Sequence, residues 1–214
     1  MDKLIIFDLD GTLLDTLPDL SENVNTMLSH FNFPLITDLE ARSYIGNGLS
    51  KLVERSLPEN FDKERFDEYF SYCKGVYDKS KNLKTKFFDG IIEVLKEFKK
   101  RGYKLAICTN KPQKPTENVY KQYLKEFDFD IVVGQSDSVK RKPDPTATLD
   151  IIDKLNVKKE NVYFVGDGDA DVLTAKNAGI KCISALWGYR DKEELIKVGA
   201  TIFASKPLDL IDLI

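Results

Sequence analysis

From Leu4 to Phe7 the chain is continuously apolar, and Gly11-Thr12 then signals a turn. A run that short and that rich in β-formers reads as a buried strand, so Asp8 and Asp10 fall where strand becomes loop. Leu17, Leu20, Val24, Met27, Leu28 and Phe31 then recur at helical spacing, ending before Pro34. Thr37-x-x-Glu40 has the form of a capping box opening a second helix. Gly48 precedes a third helix carrying Leu49, Leu52, Val53 and Leu57, and Asp62 can cap a fourth through about Lys79. Residues 15 to 85 therefore read as helices only.

After Phe87 the pattern alternates. A helix with Ile91, Ile92, Leu95 and Phe98 leads to a strand Tyr103–Cys108, a helix near Glu117–Leu124 and a strand Ile131–Val133. A helix Pro143–Leu155, a strand Val162–Val165, a helix Asp169–Ala178 and a strand Lys181–Ala185 follow. Strands alternating with helices of this length predict a parallel sheet covered on both faces, to which the first strand belongs. The expected architecture is a doubly wound, mostly parallel α/β core with a Rossmann-like arrangement, made of residues 1–14 and 86–214. An all-helical cap, residues 15–85, is inserted after its first strand.

In such sheets ligands bind beyond the carboxyl ends of the strands. Four of those ends carry chemistry: Asp8 and Asp10; Thr109-Asn110-Lys111; the segment reaching Lys142-Pro143; and Gly166-Asp167-Gly168-Asp169-Ala170-Asp171. Two acids at i and i+2 on a strand end allow one to bind metal or attack while the other moves a proton. Asp-x-Asp also occurs in plain turns, but Asp-x-Asp-Gly-Thr arises by accident in roughly a few per thousand chains of this length.

Composition narrows the classes. A chain of 214 residues with 42% hydrophobic content can bury a core. Its 32 lysines and arginines against 35 acids, dispersed and netting −3, argue against nucleic acid or an anionic membrane as partner. Lys99-Lys100-Arg101, the densest basic run, reads as a solvated helix end. No leader and no run of membrane-spanning length is visible, so a cytoplasmic protein is expected, as a monomer or weak homodimer. Cys73, Cys108 and Cys182 lack metal or disulfide spacing, and the single histidine, His30, gives no triad. Trp187 and the nine tyrosines read as packing.

Asp8 through Asp15 resembles the first motif of the haloacid dehalogenase-like phosphatases, Asp-x-Asp-Gly-Thr-(Leu/Val)-x-Asp. The resemblance implies that Asp8 attacks phosphorus to form an aspartyl phosphate and that Asp10 carries the proton. It further implies a magnesium ion held by Asp8, the Asp10 carbonyl and Asp167, with Asp171 a direct ligand or one layer behind; Asp169 reads as a helix-end charge. Lys142 matches the lysine of the third motif and is expected to hold both Asp8 and a phosphate oxygen, fixed by Pro143 at the first position of a helix. Thr109 and Asn110 match the second motif, and with Gly11 they are the expected phosphate binders. Asp15 matches the last acid of the first motif and is expected at the hinge.

Substrate choice is expected from the cap. Arg42-Ser43-Tyr44-Ile45-Gly46-Asn47-Gly48 offers an arginine fork and, from Gly46, Asn47 and Gly48, amides at a helix start. The segment is similar to the cap loop of phosphoglycolate phosphatases, which implies a small phosphorylated acid as substrate. A phosphosugar mutase, a pyrophosphatase or nucleotidase of the same family, and a non-catalytic phosphometabolite-binding module are the alternatives.

Overall fold

Every residue of the first strand, β1 (Leu4–Phe7), is fully buried in the computed structural model, which describes residues 3–46 and 48–214. A strand buried on both faces has no polar side, and this explains its unbroken apolar run. After β1 come β2 (Leu14–Asp15), α1 (Leu17–His30), α2 (Asp38–Tyr44), α3 (Gly48–Ser56), α4 (Phe66–Lys79) and β3 (Lys86–Phe87). The chain continues through α5 (Ile91–Lys100), β4 (Lys104–Pro112), α6 (Gln113–Val119), β5 (Ile131–Gln135), α7 (Thr146–Leu155) and β6 (Val162–Gly166). It ends with α8 (Asp169–Ala178), β7 (Lys181–Ala185), α9 (Lys192–Lys197), β8 (Phe203–Ala204) and α10 (Leu210–Leu213).

Six strands form one parallel sheet in the order β5-β4-β1-β6-β7-β8. This is the doubly wound α/β fold expected from the alternating pattern. The winding direction reverses between β1 and β6, which is where such sheets open a crevice. Alternate residues of β1 serve opposite layers. Ile5 and Phe7 pack with Ile91, Val94, Leu95 and Phe98 of α5 and Leu210 of α10, whereas Leu4 and Ile6 pack with Ile151 and Ile152 of α7 and Ala175 of α8.

The chain divides into two compact units, Met1–Asp15 with Phe87–Ile214, and Thr16–Lys86. The second has its own apolar centre, including Val24, Met27, Leu28, Val53, Tyr69 and Cys73. Its α2 opens with the expected capping box: Glu40 N donates to Thr37 Oγ1 at 3.2 Å, and Thr37 N donates to Glu40 Oε2 at 2.7 Å. In the same unit the buried Asp19 carboxylate accepts from Lys84 N at 3.1 Å and Thr85 Oγ1 at 2.7 Å. His30 is exposed and stacks on Tyr72, and all three cysteines are free thiols. Among the described residues no helix is long and apolar enough to cross a membrane.

Two expectations need correction. The helix read from Pro143 begins only at Thr146. Asp144 N donates to Arg141 O at 3.0 Å, and Asp144 Oδ1 accepts from Thr146 N at 2.9 Å, so the Lys-Pro segment is a turn that precedes the helix. The strand read as ending at Cys108 runs to Pro112, with a register shift against β5 between Cys108 and Pro112. Thr109, Asn110 and Lys111 therefore lie on extended backbone.

Ile6 sits in the central strand with no exposed surface. Replacing it by alanine removes buried methyl groups and leaves a cavity, so Ile6→Ala is expected to lower unfolding free energy by about 2–5 kcal/mol in denaturant titration. Leu83→Ala, at a site 76% exposed, is the control and is expected to change it by about 0.5 kcal/mol or less.

Candidate active site

Pairing continues one residue past β1: Asp8 N donates to Val165 O at 2.9 Å. Asp8 thus enters the crevice on an anchored backbone. Asp167 follows the neighbouring β6, and Asp171 lies in the first turn of α8. The three acids each offer a carboxylate oxygen, and those oxygens lie within 4.8 Å of one another.

One cation joins two of them. Lys142 Nζ stands 2.9 Å from Asp8 Oδ1 and 2.5 Å from Asp171 Oδ1, with its side chain only 4% exposed. Helix entry does not set Lys142; Asn110 does. Lys142 N donates to Asn110 Oδ1 at 2.8 Å, and Asn110 Nδ2 donates to Lys142 O at 3.2 Å. The Asn110 side chain thus clamps the Lys142 backbone. Thr109 is buried, and its Oγ1 accepts from Lys111 N at 3.2 Å.

Asp167 is fixed at both oxygens. Thr12 Oγ1 donates to Oδ1 and Tyr189 N to Oδ2, each at 2.8 Å. Thr12 is held in turn, because Trp187 Nε1 donates to its carbonyl at 2.9 Å. Trp187 therefore packs against the core and also braces the site. Backbone crowds this carboxyl so closely that a Cβ on Gly11 would lie 2.4 Å from Asp167 Oδ2, and one on Gly188 would lie 2.2 Å from Asp167 Cβ. Gly11 also has φ +85° and its amide donates to Leu14 O at 2.9 Å. Its amide is thus spoken for, and the residue is needed for close approach. Asp171 Oδ2 accepts from Gly168 N at 2.9 Å, so both its oxygens have protein donors.

Asp10 takes a separate partner. Lys111 Nζ lies 3.1 and 3.2 Å from its two carboxylate oxygens, and the lysine side chain is 2% exposed. Asp15 Oδ1 accepts from Tyr189 OH at 3.4 Å. Asp169 stands outside the acid cluster. In the helical unit, Arg42 is half-buried in the last turn of α2, and Gly46 and Gly48 have φ of +126° and +80°. Asn47 lies outside the described residues.

Of the three clustered acids two share one lysine, and burial makes that costly. Burial first, then Asp8 and Asp171, push the Asp167 carboxyl up to about 7 against the Tyr189 amide and Thr12 hydroxyl. Burial also raises Asp171, with Lys142 opposing it. For Lys142 burial alone favours the neutral amine, but Asp171 and Asp8 outweigh it and hold the ammonium well above its ordinary value. Asp8 Oδ1 is buried and accepts no aligned hydrogen bond, although Lys142 stands within ion-pair distance. Oxygen donors with uncompensated negative charge and one under-used lone pair suit a hard divalent cation.

Lys111, Thr12 and Tyr189 escaped the sequence reading of the site. Thr12 and Lys111 lay inside strings already singled out, whereas Tyr189 acts through its backbone amide and left no side-chain signal. The loop after β7 was the one strand end that carried no obvious chemistry.

A family model for haloacid dehalogenase-like hydrolases matches residues 5–185. The chain is 31% identical to phosphoglycolate phosphatase 1 of Pseudomonas aeruginosa over 214 residues, covering 98% of this chain and 78% of that protein. It is 32% identical to a phosphoglycolate phosphatase of Vibrio vulnificus over 219 residues, covering 99% and 96%. Among solved structures, a protein proposed to be a phosphoglycolate phosphatase from Lactobacillus delbrueckii subsp. bulgaricus superposes with TM-score 0.90 at 25% identity, covering 100% of this chain and 98% of that one.

The raised Asp167 carboxyl fixes a pH dependence. The folded state holds this proton up to about 7 whereas the ordinary value is 3.8, so its contribution is complete below about pH 4 and is lost as pH rises through 7. With chelator present, the melting temperature of Asp167→Asn minus that of the wild type is expected to grow from pH 4 to pH 8. A flat or shrinking difference in thermal melts contradicts this account of the charge.

Proposed function

This chain belongs to the haloacid dehalogenase-like hydrolase family, and we propose that it is a magnesium-dependent phosphomonoesterase acting through an aspartyl phosphate, with 2-phosphoglycolate as substrate. The observation that carries the mechanism is the buried Asp8 oxygen, free of aligned hydrogen bonds, next to Lys142 and two further acids at the switch point of the sheet. A carboxylate so placed is available to attack.

In the first step an Asp8 oxygen bonds to phosphorus while the bond from phosphorus to the ester oxygen breaks. Asp10 gives its proton to the departing oxygen, which leaves as a neutral alcohol. In the second step a water oxygen attacks phosphorus, Asp10 takes a proton from that water, and the bond from Asp8 to phosphorus breaks. Inorganic phosphate leaves, and both acids return to their starting forms.

Both steps bring anions together, so positive charge must be built in. Lys142 supplies one charge at Asp8 and suits a phosphate oxygen as well. Magnesium held by Asp8, the Asp10 carbonyl and Asp167 would add the charge that lets a carboxylate approach a phosphate dianion. Asp171, whose Oδ1 is ion-paired to Lys142 at 2.5 Å, is assigned to holding that lysine and complementing the metal from behind. The Thr109 hydroxyl is a further side-chain donor for the transferring phosphoryl group.

The helical unit, Thr16–Lys86, is proposed to act as the cap and to choose the substrate. Two lines support 2-phosphoglycolate. The curated relatives above carry that activity in their names, and the Arg42–Gly48 segment, with Asn47, offers a fork and helix-start amides for a carboxylate.

Purified protein offered a panel of phosphomonoesters, pyrophosphate and hexose phosphates is expected to release phosphate fastest, by kcat/KM, from 2-phosphoglycolate, and only with magnesium. A low rank for that compound rejects the substrate; hexose phosphate isomerisation without release would make the protein a mutase. Asp8→Asn is expected to abolish release, and surviving activity rejects the nucleophile. Arg42→Ala is expected to raise KM for 2-phosphoglycolate while leaving ethyl phosphate, which lacks the carboxylate, nearly unchanged.

A further inference from the structure

We propose that Lys111 is a positioning residue for acid catalysis: it holds the Asp10 carboxylate apart from the acid cluster and aims it at the leaving oxygen. The inference rests on the phosphomonoesterase reading and adds a residue to it. Four observations carry it. Lys111 contacts both Asp10 oxygens, at 3.1 and 3.2 Å. Its side chain is 2% exposed, so the pair is screened little by water, unlike a surface pair. The lysine is anchored by its own backbone, with N donating to Thr109 Oγ1 at 3.2 Å and O accepting from Thr116 Oγ1 at 3.2 Å. Gly134 of β5 lies so close that a Cβ there would sit 2.9 Å from Lys111 O.

The two buried lysines divide the acids between them. Lys142 serves Asp8 and Asp171, and Lys111 serves Asp10. An unassigned Asp10 carboxylate, two residues from Asp8, would face three acids if it swung into the cluster, or would sample several rotamers. An ammonium within reach of both oxygens selects one orientation in either form: a protonated Asp10 accepts from it through one oxygen and presents the proton on the other, and the carboxylate accepts through both. Proton transfer needs that orientation at hydrogen-bond distance. Because β4 continues to Pro112, the lysine rides on strand backbone and keeps its place.

The test separates orientation of the acid from general damage. An alkyl ester such as 2-phosphoglycolate needs its leaving oxygen protonated, whereas p-nitrophenyl phosphate releases a stable anion and needs little help. For Lys111→Met, kcat/KM, which reports the steps up to aspartyl phosphate formation, is expected to fall about 100-fold or more on 2-phosphoglycolate and less than about tenfold on p-nitrophenyl phosphate. Asp10→Asn is expected to show the same selectivity, the double variant to lose no more than Asp10→Asn alone, and Lys111→Arg to recover part of the alkyl-ester activity. A smaller folded fraction lowers both substrates equally, so equal losses overturn the proposal, as does an unchanged ratio or additive losses in the double variant. A wild-type enzyme that releases phosphate from none of the phosphomonoesters of the panel overturns the phosphomonoesterase reading itself, and this proposal with it.

Discussion

The ion pairs of Lys142 with Asp8 and Asp171 are the constraint from which the rest of the structure follows. Removing an ammonium and carboxylates from water costs several kcal/mol per ion, and the attraction offsets that cost only with close, fixed geometry. Much of the local structure supplies that geometry. Asn110 grips the Lys142 backbone from both sides, Gly168 N restrains Asp171, and the hydrogen bond from Asp8 N to Val165 O holds Asp8 at the end of a fully buried strand. A lysine on a mobile loop could not repay its desolvation, and Asp8 and Asp171 would then lose the cation they share.

A parallel sheet solves the assembly problem because its strands end at the same edge. Residues 8, 110, 142 and the pair 167 and 171 are distant in sequence, yet each lies near or beyond the carboxyl end of a strand. Register does the alignment: Leu4 pairs with Lys104 on one side and Val162 on the other, so Asp8 and Asp167 emerge side by side. Reversal of the winding at β1 opens the crevice, while the two apolar layers exclude water beneath it. The same burial that makes the site effective makes it costly, and Asp167 shows the tension, with its carboxyl raised to about 7 although it accepts two hydrogen bonds.

The sequence was legible where a side chain had only one task. Leu4–Phe7 could only be a strand buried on both faces, and Thr37 with Glu40 could only be a capping box, because apolar runs and capping residues act locally. It was less legible where two tasks competed. Pro143 has the form of a helix start, but Asp144 closes a turn with Arg141 and delays the helix to Thr146, so the helix entrance expected to fix Lys142 is not what holds it. Asn110 is marked by its place beside Thr109, and nothing in that spacing shows that its side-chain amide holds the Lys142 backbone. Tyr189 contributes an N–H that every residue but proline has, and no reading of side chains could have found it.

Charge counting ties these pieces together. Asp8, Asp10, Asp167 and Asp171 face Lys111 and Lys142, four acids against two lysines, so fully ionised the site is two charges negative. A divalent cation among the oxygens would bring it near neutrality, and a phosphate dianion would return it to the same deficit. The deficit is smallest where it matters if the carboxylate that handles the proton is kept out of the cluster that handles the phosphorus, since every like charge near Asp8 opposes its attack. Separate lysines for the two carboxylates achieve that separation with the backbone spacing of Asp8 and Asp10 unchanged. Two acids only two residues apart can then do different work because their cations come from different strands and loops.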